Sequence, residues 1–136
     1  MLVEGTFEVA SFRPARLDPA PPEVRTGLPV GVAAMEKRFT GGVEGRSATV
    51  FVAAFDQERG AGTYVAMESF EGSIDGRRGS FNFVHTATTA GTDRTADWLS
   101  IVPGSGTGDL SAIRGGGAIT VGAGGEHRIA FDCELD

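Results

Sequence analysis

Pro103-Gly104-Ser105-Gly106-Thr107-Gly108-Asp109-Leu110-Ser111-Ala112-Ile113-Arg114-Gly115-Gly116-Gly117 places six glycines in fifteen residues, between two runs rich in β-forming side chains. Two readings compete for such a run. A phosphate-binding loop needs a lysine after its last glycine, and Asp109 stands after Gly108. A dinucleotide fingerprint starting at Gly106 needs a final glycine where Ser111 stands. No helical period follows, so the strand-to-helix setting of both motifs is missing. The glycines therefore mark sharp bends and bulges in a tightly curved sheet.

The flanking sequence repeats that theme. Thr6–Phe12, Val32–Phe39, Ser47–Phe55, Thr63–Glu71, Ser80–Thr89, Thr95–Val102, the glycine run with Ala118–Val121, and Arg128–Leu135 read as eight strands. Phe39-x-Gly41-x-x-x-Gly45 and Phe70-x-Gly72-x-x-x-Gly76 end two of them with the same closely spaced glycines. The expectation is an all-β, eight-stranded antiparallel barrel forming one domain over residues 1–136, closed so that no strand edge is left unpaired. Pro14 to Pro29 holds five of the six prolines and reads as a crossing loop, either a plain connector or a flap over a cavity mouth. Ala48 to Phe55 is apolar on both faces, which predicts a homo-oligomer, with a dimer preferred over a trimer.

Composition narrows the partners. The net charge of −6 and twelve scattered basic residues, eleven of them Arg, argue against a nucleic-acid surface. No apolar run is long enough to cross a bilayer as a helix. Met1-Leu2-Val3-Glu4-Gly5 does not read as a signal sequence, and a single cysteine, Cys133, fits the reducing cytoplasm. One cysteine and two distant histidines give a metal site no support, and no cofactor motif is present. Cys133 reads as a packed apolar residue and His127 as a solvated one at a turn.

The Asp75-Gly76 pair is the strongest hairpin signal in the chain. A two-residue turn there sets Glu68 opposite Phe83 and Ala66 opposite His85; a turn centred one residue later sets Glu68 opposite His85. Under either register Glu68 and His85 share a face with Tyr64, Phe70, Phe81 and Phe83. That face is the best candidate for the interior, and Lys37 lies on a comparable face between Met35 and Phe39. Glu68 and His85 are the candidate acid–base pair, with Lys37, Tyr64, Phe83 and Trp98 as candidate ligand-binding residues. The alternative is an ion pair that only fixes register. Glu68→Gln is expected to weaken ligand binding or turnover and to leave the melting temperature within a few degrees.

Lys37-x-Phe39-x-Gly41-x-x-Glu44-Gly45, Gly76-Arg77-x-Gly79-Ser80-Phe81-x-x-x-His85 and Val102-Pro103-Gly104-Ser105-Gly106-Thr107-Gly108-x-Leu110 follow one another in the chain. Together they resemble a family of small bacterial proteins of unknown function with an allene-oxide-cyclase-like barrel. The resemblance spans about Val32 to Leu135 and implies an oligomeric barrel with a central cavity. The expected function is binding of a small, mostly apolar ligand in that interior, with cofactor-free isomerase or cyclase chemistry as an extension by fold analogy. The alternative is a structural or regulatory homo-oligomer whose barrel is filled by its own side chains.

Overall fold

A computed structural model describes all residues 1–136. Its strands are β1 Leu2–Ala15, β2 Val30–Gly41, β3 Val43–Asp56, β4 Ala61–Ile74, β5 Arg77–Ala90, β6 Asp93–Ile101, β7 Arg114–Val121 and β8 His127–Glu134. Each pairs antiparallel with its sequence neighbours, and β8 returns to β1, so the eight strands form a closed ring. The chain holds no helix long and apolar enough to cross a membrane.

Strict alternation sorts the side chains. On β5, Phe81, Phe83, His85 and Ala87 are buried inside the ring while Asn82, Val84, Thr86 and Thr88 lie half-buried on the outside. The Asp75-Gly76 turn sets the first of the two registers: Glu68 pairs with Phe83 and Ala66 with His85. Asp75 and Gly76 both take positive φ, +50° and +81°, as the twist-matched two-residue turn requires.

Glycine supplies curvature where strands cross closely. Gly45 and Gly72 pair with each other, at φ +145° and +154°. A Cβ on Gly72 would sit 2.0 Å from the Glu44 carbonyl oxygen, and one on Gly45 2.2 Å from that of Glu71. The recurring glycine spacing in the sequence is thus a row of kinks that bends the sheet into a ring.

The glycine run itself departs from the sequence reading. Only its tail, from Arg114, belongs to β7. Residues 102–113 form a loop with a 3₁₀ turn at Gly108–Leu110 that turns Leu110 and Ile113 into the core as a plug. The loop is held along β5 by Thr107 N–H donating to the Ser80 carbonyl (2.9 Å) and Asn82 N–H donating to Ser105 Oγ (3.0 Å). Gly106 lies so close beneath Leu110 that a Cβ would stand 1.9 Å from its carbonyl oxygen. A strand could not make that approach and plug the ring at the same time. As a result β6 and β7 share only two residue pairs, Leu99–Gly117 and Ser100–Gly116.

The two ends of the ring differ. At the end carrying the glycine loop, Val43, Ile74, Leu110, Ile113 and Leu135 close the interior, backed by Phe39, Phe70, Phe81, Phe83 and Phe131. Aromatic pairs run through this half, such as Phe39–Phe70 and Phe83–Phe131, edge-to-face at 5.5 and 5.2 Å. The opposite end, bounded by the β1–β2 and β3–β4 connections, stays open. Side chains thus fill one half of the ring and leave the other half open. Of the proline-rich connection only its ends, Pro14 and Pro29, border the opening, while residues 16–27 are exposed; it runs beside the mouth and does not cover it.

Candidate functional site

Three strands deliver charge to the middle of the ring. Lys37 on β2, Glu68 on β4 and His85 on β5 all point inward, and all are at most 4% exposed. Lys37 Nζ donates to Glu68 Oε2 at 2.6 Å, and His85 Nε2 bonds the same oxygen. Ser47 Oγ, from β3, donates to Glu68 Oε1 at 2.7 Å. Lys37 also lies 4.9 Å above the Phe7 ring, which cushions the ammonium on its far side. One carboxylate thus organises a lysine, a histidine and a serine from three other strands.

The chain of contacts continues toward the open end. Tyr64 Oη meets His85 Nδ1 at 3.1 Å, and Arg94 Nη2 donates to Tyr64 Oη at 2.8 Å. Arg94 Nε is paired with Asp97 Oδ2 at 3.1 Å. Burial alone would raise the Glu68 carboxyl, but the hydrogen bond from His85 and the charge of Lys37 outweigh it and bring its pKa down to about 2. Burial pushes His85 below its ordinary range, with Lys37 adding to the effect and Glu68 opposing it. Burial holds the Tyr64 phenol above its ordinary value. At neutral pH the cluster is therefore an anionic Glu68, a neutral His85 and a neutral Tyr64. Thr49 Oγ1, inside the ring between Ser47 and Phe51, is buried without a partner.

Above Tyr64 lies a cavity of about 630 Å³ in the open end. Phe12, Ala33, Phe51, Ala53, Phe55 and Tyr64 form its inner wall, Gln57 and Thr89 are its polar side chains besides Tyr64, and Thr63 borders it with its hydroxyl turned outward to Thr88. The Tyr64 and Phe51 rings stack at 5.1 Å, so one aromatic plate belongs both to the cavity wall and to the buried cluster.

Lys37, Glu68, His85 and Tyr64 come together as one constellation, and of these only Tyr64 lines the cavity. Phe83 is fully buried in the filled half, against His85, Phe81 and Phe131, and does not reach the opening. Trp98 is 56% exposed on the outer surface. Its neighbours Leu99 and Ile101 face inward opposite His85 and Phe83, so alternation turns Trp98 outward. His127 is not solvated at a turn; it opens β8 half-buried and stacks on Phe7 at 5.1 Å. Ser47 and Thr49 escaped the sequence reading, although two hydroxyls alternating with Phe51 on a strand's inner face were a readable signal. Arg94 carried no such signal, because a bulge between Thr86 and Thr88, with Ala96 at φ +54°, shifts the parity of β6.

The fold and site define a class: an eight-stranded all-β protein, half filled by phenylalanine and half open, with a charge cluster sealed between. The chain belongs to the DUF3224 family, described as a protein of unknown function, whose profile matches residues 3–133. It is similar to a crystal structure from the same family, a protein of unknown function from Shewanella oneidensis MR-1. The two share 30% identity and a TM-score of 0.84, covering 100% of this chain and 97% of that one. No curated protein matches the chain.

Proposed function

We propose that this protein binds a small, mostly apolar ligand in the open end of an allene-oxide-cyclase-like barrel. The observation that carries the reading is the cavity of about 630 Å³, which falls in the range of small-molecule sites. It is walled by aromatic and aliphatic side chains and ends on a tyrosine tied to a buried ionic cluster. Such a cluster in the middle of a ring is costly unless every charge is matched, and here it is matched around Glu68. The geometry favours binding over turnover, because burial raises Tyr64 and lowers His85. Both shifts widen the gap that a proton passing from phenol to imidazole would have to cross. Cys133, a free thiol buried in the core, supports placing the protein in the reducing cytoplasm.

Native mass spectrometry of protein purified under gentle conditions is expected to show a bound small molecule. Ala53→Phe, which puts a ring into the cavity, is expected to cut its occupancy at least tenfold while the fold persists. Unaltered occupancy in Ala53→Phe would show that the ligand sits elsewhere.

The outer face carries a second, separate expectation: a homodimer. Val32, Val52, Val65, Thr86 and Trp98 form one outward row across β2 to β6, and Ala34, Val50, Met67 and Val84 the next. Neither row contains a charge; the next row, Glu36–Ala48–Ser69–Asn82, brings in Glu36, and the ion pair Arg46–Glu71 lies one row beyond it. Two such rows, about 6.6 Å apart on strands about 4.8 Å apart, give a face of roughly 300 Å² in projection. Doubled over two copies and enlarged by side-chain relief, that is the scale of a small, weak dimer interface. A neutral face suits a second copy of itself, since no partner charge is needed to complement it. Light scattering should give twice the chain mass, and Val50→Lys with Met67→Lys should halve it; a wild-type monomer at micromolar concentration contradicts the dimer.

A further inference from the structure

The buried cluster does more than hold the ring together: it fixes which way the Tyr64 proton points. Ionised Glu68 can only accept hydrogen bonds, so His85 Nε2 must carry the proton that faces it. In a neutral imidazole the other nitrogen, Nδ1, is then an acceptor. Tyr64 is the group that meets Nδ1, at 3.1 Å, so the phenol donates its own proton there. Arg94 Nη2 fills one of the two phenol lone pairs at 2.8 Å. The second lone pair has no partner within the chain, and Tyr64 lines the cavity.

Resting on the ligand reading above, we infer that the site selects uncharged apolar molecules whose single polar group is a hydrogen-bond donor, an alcohol or phenol, received by the free Tyr64 lone pair. Two features of the wall agree. No charged side chain lines the cavity, and the one cation behind it, Arg94, is already paired with Asp97 and Tyr64, so an ionised acid would shed its water without a free countercharge. The Thr63 hydroxyl is turned to the outer face, onto Thr88 at 2.8 Å, and offers the cavity no donor. A ketone offers only acceptors, and at the depth of Tyr64 the phenol presents an acceptor as well, so a ketone finds donors only at Gln57 and Thr89, nearer the mouth. In this account Lys37, Ser47, Glu68 and His85 are positioning residues: they touch no ligand and set the polarity of the one that does.

The test compares 1-octanol, octan-2-one and octanoate at pH 7.5 by isothermal titration calorimetry on the full chain. These share chain length and differ in donor, acceptor and charge. Octanol is expected to bind about fivefold tighter than octan-2-one, the scale of one neutral hydrogen bond. Octanoate is expected to bind at least tenfold more weakly than octanol. Tyr64→Phe should bring octanol down to the level of octan-2-one while leaving octan-2-one unchanged. The wild-type ranking stands as a test on its own should that variant fold poorly. Octan-2-one or octanoate binding as tightly as octanol overturns the donor selectivity and leaves the ligand reading intact. Failure of all three, with an empty cavity by native mass spectrometry, overturns both.

Discussion

Glu68→Gln is expected to lower stability by about 3 kcal/mol or more, a loss of roughly 10 °C in melting temperature for a chain of this size. This reverses the expectation drawn from sequence, that the substitution would leave melting nearly unchanged. The reason lies in what surrounds the carboxylate. Glu68 is completely buried and takes hydrogen bonds from Lys37, Ser47 and His85. Glutamine keeps the shape but removes the charge, leaving the Lys37 ammonium sealed at 4% exposure with no counterion. Its NH₂ can face Ser47, whose hydroxyl can turn to accept, so the lost charge carries most of the cost. Breaking one side of a buried pair costs more than removing both. Lys37→Met in the same chain should therefore recover part of the loss, and a double-mutant cycle in urea should give a coupling of at least about 2 kcal/mol. Additive single-mutant losses would mean that Lys37 does not depend on Glu68.

Much of this cluster was legible before the structure because hairpin chemistry is local. Asp75-Gly76 allows two registers, and both put Glu68 and His85 on one face with Tyr64. Nothing local could bring in Lys37, whose strand is separated from β4 by β3; only closure of the ring and the run of registers through β3 place it. The glycine spacing announced curvature correctly but not its form. Gly106 serves a close loop contact and Gly72 a strand kink, and spacing alone does not tell these apart. Trp98 was misplaced because parity on β6 can only be read from its partner strand, and the bulge between Thr86 and Thr88 interrupts that count. The half-filled interior was beyond sequence because the same nine phenylalanines can fill a ring or line one. What decides it is the loop carrying Leu110 and Ile113, which plugs one end only.

The same cluster should make the protein sensitive to acid. The Glu68 pKa falls from an ordinary 4.5 to about 2 in the folded chain. A carboxyl depressed in this way stabilises the fold fully above the unfolded value and loses that contribution as pH falls from about 4.5 toward 2. A gap of that size corresponds to about 3 kcal/mol. His85 acts in the same direction. Its folded pKa lies below the ordinary 6.5, so the unfolded chain takes up a proton that the native ring resists, and stability starts to decline below about pH 6.5. Urea midpoints between pH 7 and pH 3 should therefore fall steadily, gently at first and more steeply below pH 4.5. Exposed carboxylates contribute to any acid transition, so the decisive comparison is with the Lys37→Met, Glu68→Gln double variant. That variant retains His85 but has no buried carboxylate, and its decline between about pH 4.5 and pH 3 should be shallower by about 2 kcal/mol, the part of the Glu68 contribution lost by then. Parallel curves for the two proteins would show that the buried carboxylate does not govern the acid limb.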